Sequence, residues 1–249
     1  MPDTTSHSEL IALPIADLPD TCFANDGARK LVGTLRCPAA ARAELHNITL
    51  LYHGHRPPED VQNIEITLHS VVRASIAISE SNQWVRFGKG CGGHWIFRMW
   101  GTSSADIGDG CTANGADCYV NEGGRLVIGD DCMFAEVFLH VGDNHAIFDI
   151  ETLDVLNYRP NPSLRIQDHV WIASRATVLG DAIIGAGSII AAGAVVKGDV
   201  PGCSLIAGVP GRVVKSGVSW TRSHNGYGAA AVAQTLASLA NRRDIAAKS

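Results

Sequence analysis

His145 stands in the segment Asp143-Asn144-His145-Ala146-Ile147-Phe148-Asp149, where a regular repeat stops and a long irregular segment begins. A neutral imidazole near pH 7 can take a proton from a hydroxyl and later return it, so His145 is a candidate general base. Asp143 and Asn144 are candidates for orienting that base or an acceptor, and Asp149 is a further one on the acceptor side. A carboxylate beside an imidazole fixes its tautomer and stabilises the imidazolium. Asp and Asn also make turns by bonding nearby backbone, and that role stays open for each of them. Glu136 is a more distant alternative partner. Arg159, in the stretch NYRPNPSL, can meet an anionic acceptor.

Placing these groups requires a rigid support, and the chain supplies a repeat. From Ile166 it divides into the units IQDHVW, IASRAT, VLGDAI, IGAGSI, IAAGAV and VKGDVP. Their leading residues are Ile166, Ile172, Val178, Ile184, Ile190 and Val196. Their fifth positions are Val170, Ala176, Ala182, Ser188, Ala194 and Val200. An amphipathic helix favours 3.6-residue spacing, and an ordinary antiparallel strand alternates with period two. A period of six implies short strands separated by tight corners, with three units closing a triangular coil. Stacked coils gather the leading aliphatics into interior columns, while neighbouring strands satisfy the backbone. An all-β parallel β-helix is the expected fold.

The pattern extends upstream in IGDDCM from Ile128 and IGDGCT from Ile107. YVNEGGRLVIG shifts the phase between them. NIEITLHSVVRASIAIS and HWIFRMWG read as β-rich coils with irregular corners. The β-helix is therefore expected over 44–217, after an N-terminal arm or cap over 1–43 and before a helical extension over 218–249. A loop of about 146–165 breaks the repeat, and Pro160 and Pro162 oppose a regular element there. A loop leaving a rigid scaffold is suited to walling a binding site. In the extension, Val232, Leu236 and Leu239 make a modest apolar face, and Arg242 and Arg243 suit a helix C-terminus.

The chain has 249 residues, with 20 basic and 25 acidic side chains and a formal charge of -5, a poor match to nucleic acid as a default partner. It contains no apolar run of membrane-spanning length, and its first residues lack the pattern of a secretory signal, so a cytoplasmic location is expected. Seven Cys residues make no paired CxxC motif. Cys111, Cys118 and Cys132, among apolar and small neighbours, read as core side chains.

The repeats together with IGDDCMF, DNHAIFD, DHVWIASRATVLGDAIIGAGSIIAAGAVV and PGCSLIAGVPGRVVK resemble the hexapeptide-repeat acyltransferases, in particular the sugar and polysaccharide O-acetyltransferases. The resemblance implies a left-handed winding, acetyl-CoA as acyl donor, and a homotrimer with active sites between subunits. It implies no catalytic metal. It matches His145 to the histidine that deprotonates the acceptor hydroxyl, and Trp171 to a tryptophan beside the donor. His169 matches the neighbouring histidine and is expected in the acceptor wall. The turns around Gly185–Ser188 and Ala191–Ala194, including Gly193, resemble the coenzyme A groove. Lys197, Arg212 and Lys215 are expected near the nucleotide phosphates. IASRAT departs from the glycine-rich turn usual after HVW, which leaves the acceptor open.

Three other readings compete. One is N-acetyl transfer to an amino sugar. Another is a non-catalytic interaction protein, because a fold does not fix chemistry. The third is a zinc hydrolyase like the γ-type carbonic anhydrases. His140 and His145 have the five-residue spacing of two ligands, with His94 or His169 as a third, leaving a zinc position for water.

Overall fold

Large aliphatics at every sixth residue can all face inward only if the chain turns a corner between them. The structure, a computed structural model, has this arrangement. It describes residues 9–222 together with 228–230, 232–233, 235–237 and 239. Strands Ser163–Ile166, Trp171–Ile172 and Thr177–Leu179 form one coil, and each pairs in parallel with its counterpart in the next: Ala182–Ile184, Ile189–Ile190 and Val195–Lys197. Ile166 lies in register with Ile184, Ile172 with Ile190 and Val178 with Val196. All six leading residues and all six fifth-position residues are buried. Ser188, the polar member, is satisfied by donating its hydroxyl to the Gly185 carbonyl at 2.6 Å.

The stack continues toward the N-terminus with a different coil shape. Gly92–Met99, Thr112–Val120 and Met133–Val141 are long strands that cross two faces without a sharp corner. Met133–Val141 shows the transition: its start pairs with Trp171–Ile172 and its later part with Thr177–Leu179. The other face climbs through Gly33–Pro38, Ile64–Leu68, Trp84–Phe87, Ser104–Ile107 and Arg125–Ile128 to Ser163–Ile166. Leu68, Phe87, Ile107, Ile128, Ile166, Ile184 and Val200 thus form one interior column. The parallel stack reaches back to Gly33–Pro38, upstream of the expected start at residue 44. Leu10–Pro14 pairs antiparallel with that strand, so part of the expected arm is a sheet strand.

Corner residues carry the vertical contacts. The carboxylate of Asp109 accepts from Lys89 N–H at 2.7 Å, Asp130 from Asp109 N–H at 2.8 Å, and Asp168 from Asp130 N–H at 2.8 Å. This ladder gives these three Asp residues a structural role: each satisfies a backbone donor on the neighbouring coil. The preceding Gly129 admits no side chain, since a Cβ there would lie 2.8 Å from Asp168 N. The cysteines read as core are buried, and burial pushes the Cys118 thiol above the ordinary range.

After the last hexad, Arg212–Ser216 folds back antiparallel on Ser204–Ala207. The described residues of the C-terminal extension are helical at 229–230, 232–233, 235–237 and 239. Leu239 is buried, while Val232 and Leu236 remain exposed. Arg242 and Arg243 lie outside the described residues. No described helix is long and apolar enough to cross a membrane.

Candidate active site

Val141 ends the last long strand, and Gly142 turns the chain outward with φ +74°. This turn delivers Asp143, Asn144 and His145 to the rim of a cavity of about 440 Å³. Gly180, Asp181, Lys197 and Gly198, from the next two coils, form its floor; Leu156, Tyr158, Arg159 and Pro162 of the loop form a wall. His145, Asp143 and Asn144 are exposed at its mouth.

The loop is held by Asn157, a residue the sequence reading did not single out. Its side-chain amide donates to the Asp143 carboxylate at 3.1 Å and to the His145 carbonyl at 2.8 Å. Its oxygen accepts from Ile147 N–H at 2.7 Å. One side chain thus ties both ends of the loop beside His145. Asp143 engages Asn157, and among the described residues of one chain no carboxylate bonds the His145 ring. Asp149 instead closes its own turn, accepting from Glu151 N–H at 2.8 Å and Thr152 N–H at 2.9 Å. Those bonds hold its carboxyl below the usual aspartate range. Asp149 is therefore a turn former, the alternative left open for it, and does not line the cavity.

His169 differs from its expected acceptor-side place. It occupies a corner with φ +56°, buried, its ring stacked on Trp220 at 4.4 Å. Nδ1 faces the Asp131 carboxylate at 2.7 Å and Nε2 faces the Trp220 carbonyl at 2.9 Å. With both nitrogens committed to acceptors, the ring anchors the C-terminal segment. Arg222 completes the anchor, donating to Asp131 at 2.6 Å, Thr112 Oγ1 at 2.8 Å and the Cys132 carbonyl at 2.7 Å.

Burial by itself would raise the Asp131 carboxyl, but hydrogen bonds and charge from His169 and Arg222 outweigh it and hold it below the usual range. A carboxyl depressed in the fold stabilises it above its unfolded pKa, and that contribution drains away as pH falls through the aspartate range, below about 4. Asp131→Asn is expected to cost about 1–3 kcal/mol, from lost charge-assisted hydrogen bonds. Amide exchange should accelerate at residues 218–222 with the hexad coils unchanged; unaltered exchange there would count against the anchor.

The expected donor-side residues lie apart from the His145 cavity within one chain. Trp171 is half-buried, 6.1 Å from Trp220 between ring centres. Gly193 is exposed at a corner, with no atom within 4 Å of a Cβ built there. Arg212 and Lys215 are exposed on the terminal antiparallel strand. Lys197 alone of this group lines the cavity with His145 and Arg159. Among the described residues of this one chain, no three His, Cys, Asp or Glu side chains gather to hold a metal. His140 is turned to the Asn121 amide at 3.0 Å, on a different element from His169.

Residues 164–198 match the bacterial transferase hexapeptide family, a pattern of six repeats. The serine acetyltransferase of Bacillus licheniformis is 36% identical over 99 residues, covering 39% of this chain and 42% of that protein. The chain thus spans less than half the length of that relative. The galactoside O-acetyltransferase of Escherichia coli (strain K12) is 28% identical over 191 residues, covering 72% of this chain and 81% of that protein. The crystal structure of the polySia-specific acetyltransferase NeuO aligns with a TM-score of 0.61 at 26% identity, covering 67% of this chain and 80% of that one. The coils, corners and repeat define a hexapeptide-repeat β-helix protein. The chain is similar to the hexapeptide-repeat acyltransferases, sugar and polysaccharide O-acetyltransferases among them.

Proposed function

We propose that this protein transfers an acetyl group from acetyl-CoA to a hydroxyl of a sugar or glycan, on a left-handed β-helix. The observation that carries the reading is the presentation of His145 at the mouth of a cavity whose other walls are the loop and Lys197. His145 takes the proton of the acceptor hydroxyl as its oxygen attacks the thioester carbonyl. A tetrahedral intermediate forms, the carbon–sulfur bond breaks, and the leaving thiolate recovers the proton from the imidazolium. The products are an acetyl ester and CoA thiol. Asn157 positions the base through its backbone, and Arg159 offers a charge to the acceptor.

The separation of Trp171, Gly193, Arg212 and Lys215 from His145 favours a site completed by a neighbouring subunit. Ile147, Ile150, Leu153 and Tyr158 leave the loop with an apolar surface exposed in the single chain, as interfaces do. A homotrimer follows as part of this reading, with a molar mass of about 79 kDa in solution.

The test is acceptor-dependent release of CoA thiol. Purified protein is supplied with acetyl-CoA and galactosides, N-acetylhexosamines, polysialic acid or serine, with and without prior chelation of metals. Thiol release and an acetylated product with a saccharide, unchanged by chelation, are expected. Release with serine alone would move the acceptor class, and zinc-dependent chemistry with no acetylated product would reject the reading. A fully active monomer would overturn the intersubunit site.

A further inference from the structure

A second and larger cavity, about 520 Å³, opens along the same edge of the solenoid. His53, Arg56, Ser79, Glu80, Trp100 and Glu122 are among its walls, and Glu122 also lines the His145 cavity. The two are therefore neighbours along one groove. Its coils are consecutive: His53 N–H donates to Ile78 O, Trp100 N–H to Val120 O and Asn121 N–H to Val141 O. With strands about 4.8 Å apart, Trp100 stands roughly 10 Å along the axis from the coil that carries the His145 turn, and His53 roughly 20 Å.

The chemistry of this cavity is that of a ring-shaped polar ligand with one apolar face. The Trp100 indole is half-buried and held on two sides, stacked on Tyr119 at 5.5 Å and met edge-on by His53 at 5.0 Å. Such an immobilised aromatic offers a flat surface at little entropic cost. Around it are carboxylates, hydroxyls and an amide, from Glu80, Glu122, Ser81, Thr102 and Asn82. Pyranoses present C–H faces to the first and hydroxyls to the second. The buried Ser79 hydroxyl in the same wall has no hydrogen-bond partner. Arg56 lies 3.6 Å from Glu80, which leaves Glu122 to repel an acidic sugar.

We propose that this cavity is a distal subsite for uncharged sugar units of the acceptor, so that the acceptor is an oligosaccharide or polysaccharide lying along several coils. The inference rests on the acetyl-transfer reading for the location of the reacting hydroxyl, and its test is a binding measurement that needs no transfer. The full chain is titrated with linear hexamers of glucose, galactose, mannose and N-acetylglucosamine, their monomers, and a sialic acid hexamer, and binding is followed by saturation-transfer NMR and calorimetry. At least one neutral hexamer should bind more tightly than its monomer. Trp100→Ala should weaken that binding roughly ten-fold or more, as loss of an aromatic anchor does, while Trp100→Phe retains most of it. Thr102→Arg, at an exposed position in the wall, should block the hexamer and leave the fold intact. No neutral hexamer binding, equal binding by parent and Thr102→Arg, or preference for the sialic acid hexamer would each overturn the proposal. Hexamer binding without acetyl transfer would keep the subsite and remove the enzymatic reading.

Discussion

A His145→Ala protein is expected to transfer acetyl groups on the order of 10²-fold more slowly or worse, with donor binding and assembly little changed. The expectation follows from where the side chain sits. It is exposed at the cavity mouth, outside every interior column, so its removal leaves the coils packed. The bonds that shape the turn run through the His145 carbonyl and the Asp143 carboxylate to Asn157, and the substitution keeps both acceptors. What disappears is the group proposed to accept the hydroxyl proton. Steady-state kinetics should show the loss in kcat, with KM for acetyl-CoA near the parent value, because donor contacts are proposed on other elements. Near-parent turnover in an assembled, donor-binding variant would reject the base assignment. Asn157→Ala offers a contrast: it frees the loop and keeps the His145 side chain.

The C-terminal coils were legible because their constraint is local. Each leading aliphatic lies one hexad from the next and three hexads from its partner, so Ile166, Ile172 and Val178 announce three columns directly. The upstream coils obscured that signal because Gly92–Met99, Thr112–Val120 and Met133–Val141 run straight where the later chain bends. Their period-two burial, alternating along Phe97, Met99, Cys118, Val120, Leu139 and Val141, replaces the sixfold one.

The place of His145 at the end of the repeat was legible, and the structure puts Arg159 and Lys197 on the same cavity. That of His169 was not, because its partner Trp220 lies 51 residues away and Arg222 reaches across 110 residues to Thr112. No spacing rule joins the segment Ser219-Trp220-Thr221-Arg222 to a histidine so distant. Asn157 was missed because an amide in a proline-containing loop reads as turn-forming until both of its bonding partners are known.

Trp95→Ala is expected to destabilise the fold by about 3–5 kcal/mol, the cost of emptying a large aromatic site. At about 1.4 kcal/mol per factor of ten, the unfolding equilibrium shifts roughly 10²- to 10³-fold or more. Trp95 is fully buried among the long strands, with Phe87 and Phe134 each 5.5 Å away edge-on and Phe97 stacked at 6.4 Å. Its indole N–H is satisfied by the Gly92 carbonyl at 3.1 Å, so the substitution also leaves an acceptor short of a partner. The hexad coils hold aliphatic and small side chains inside, whereas the interior here holds the rings of Phe87, Trp95, Phe97 and Phe134. Neighbouring backbones are bound into ladders above and below and cannot collapse onto the void. Because stacked coils contact only their neighbours, the loss should fall first on the N-terminal half. Denaturant melts followed by amide exchange should show residues 64–99 opening before the coils at 164–198. Trp95→Phe, keeping a ring but not the full volume, should recover part of the stability. A change under about 1 kcal/mol for Trp95→Ala would mean that the aromatic cluster does not organise this half.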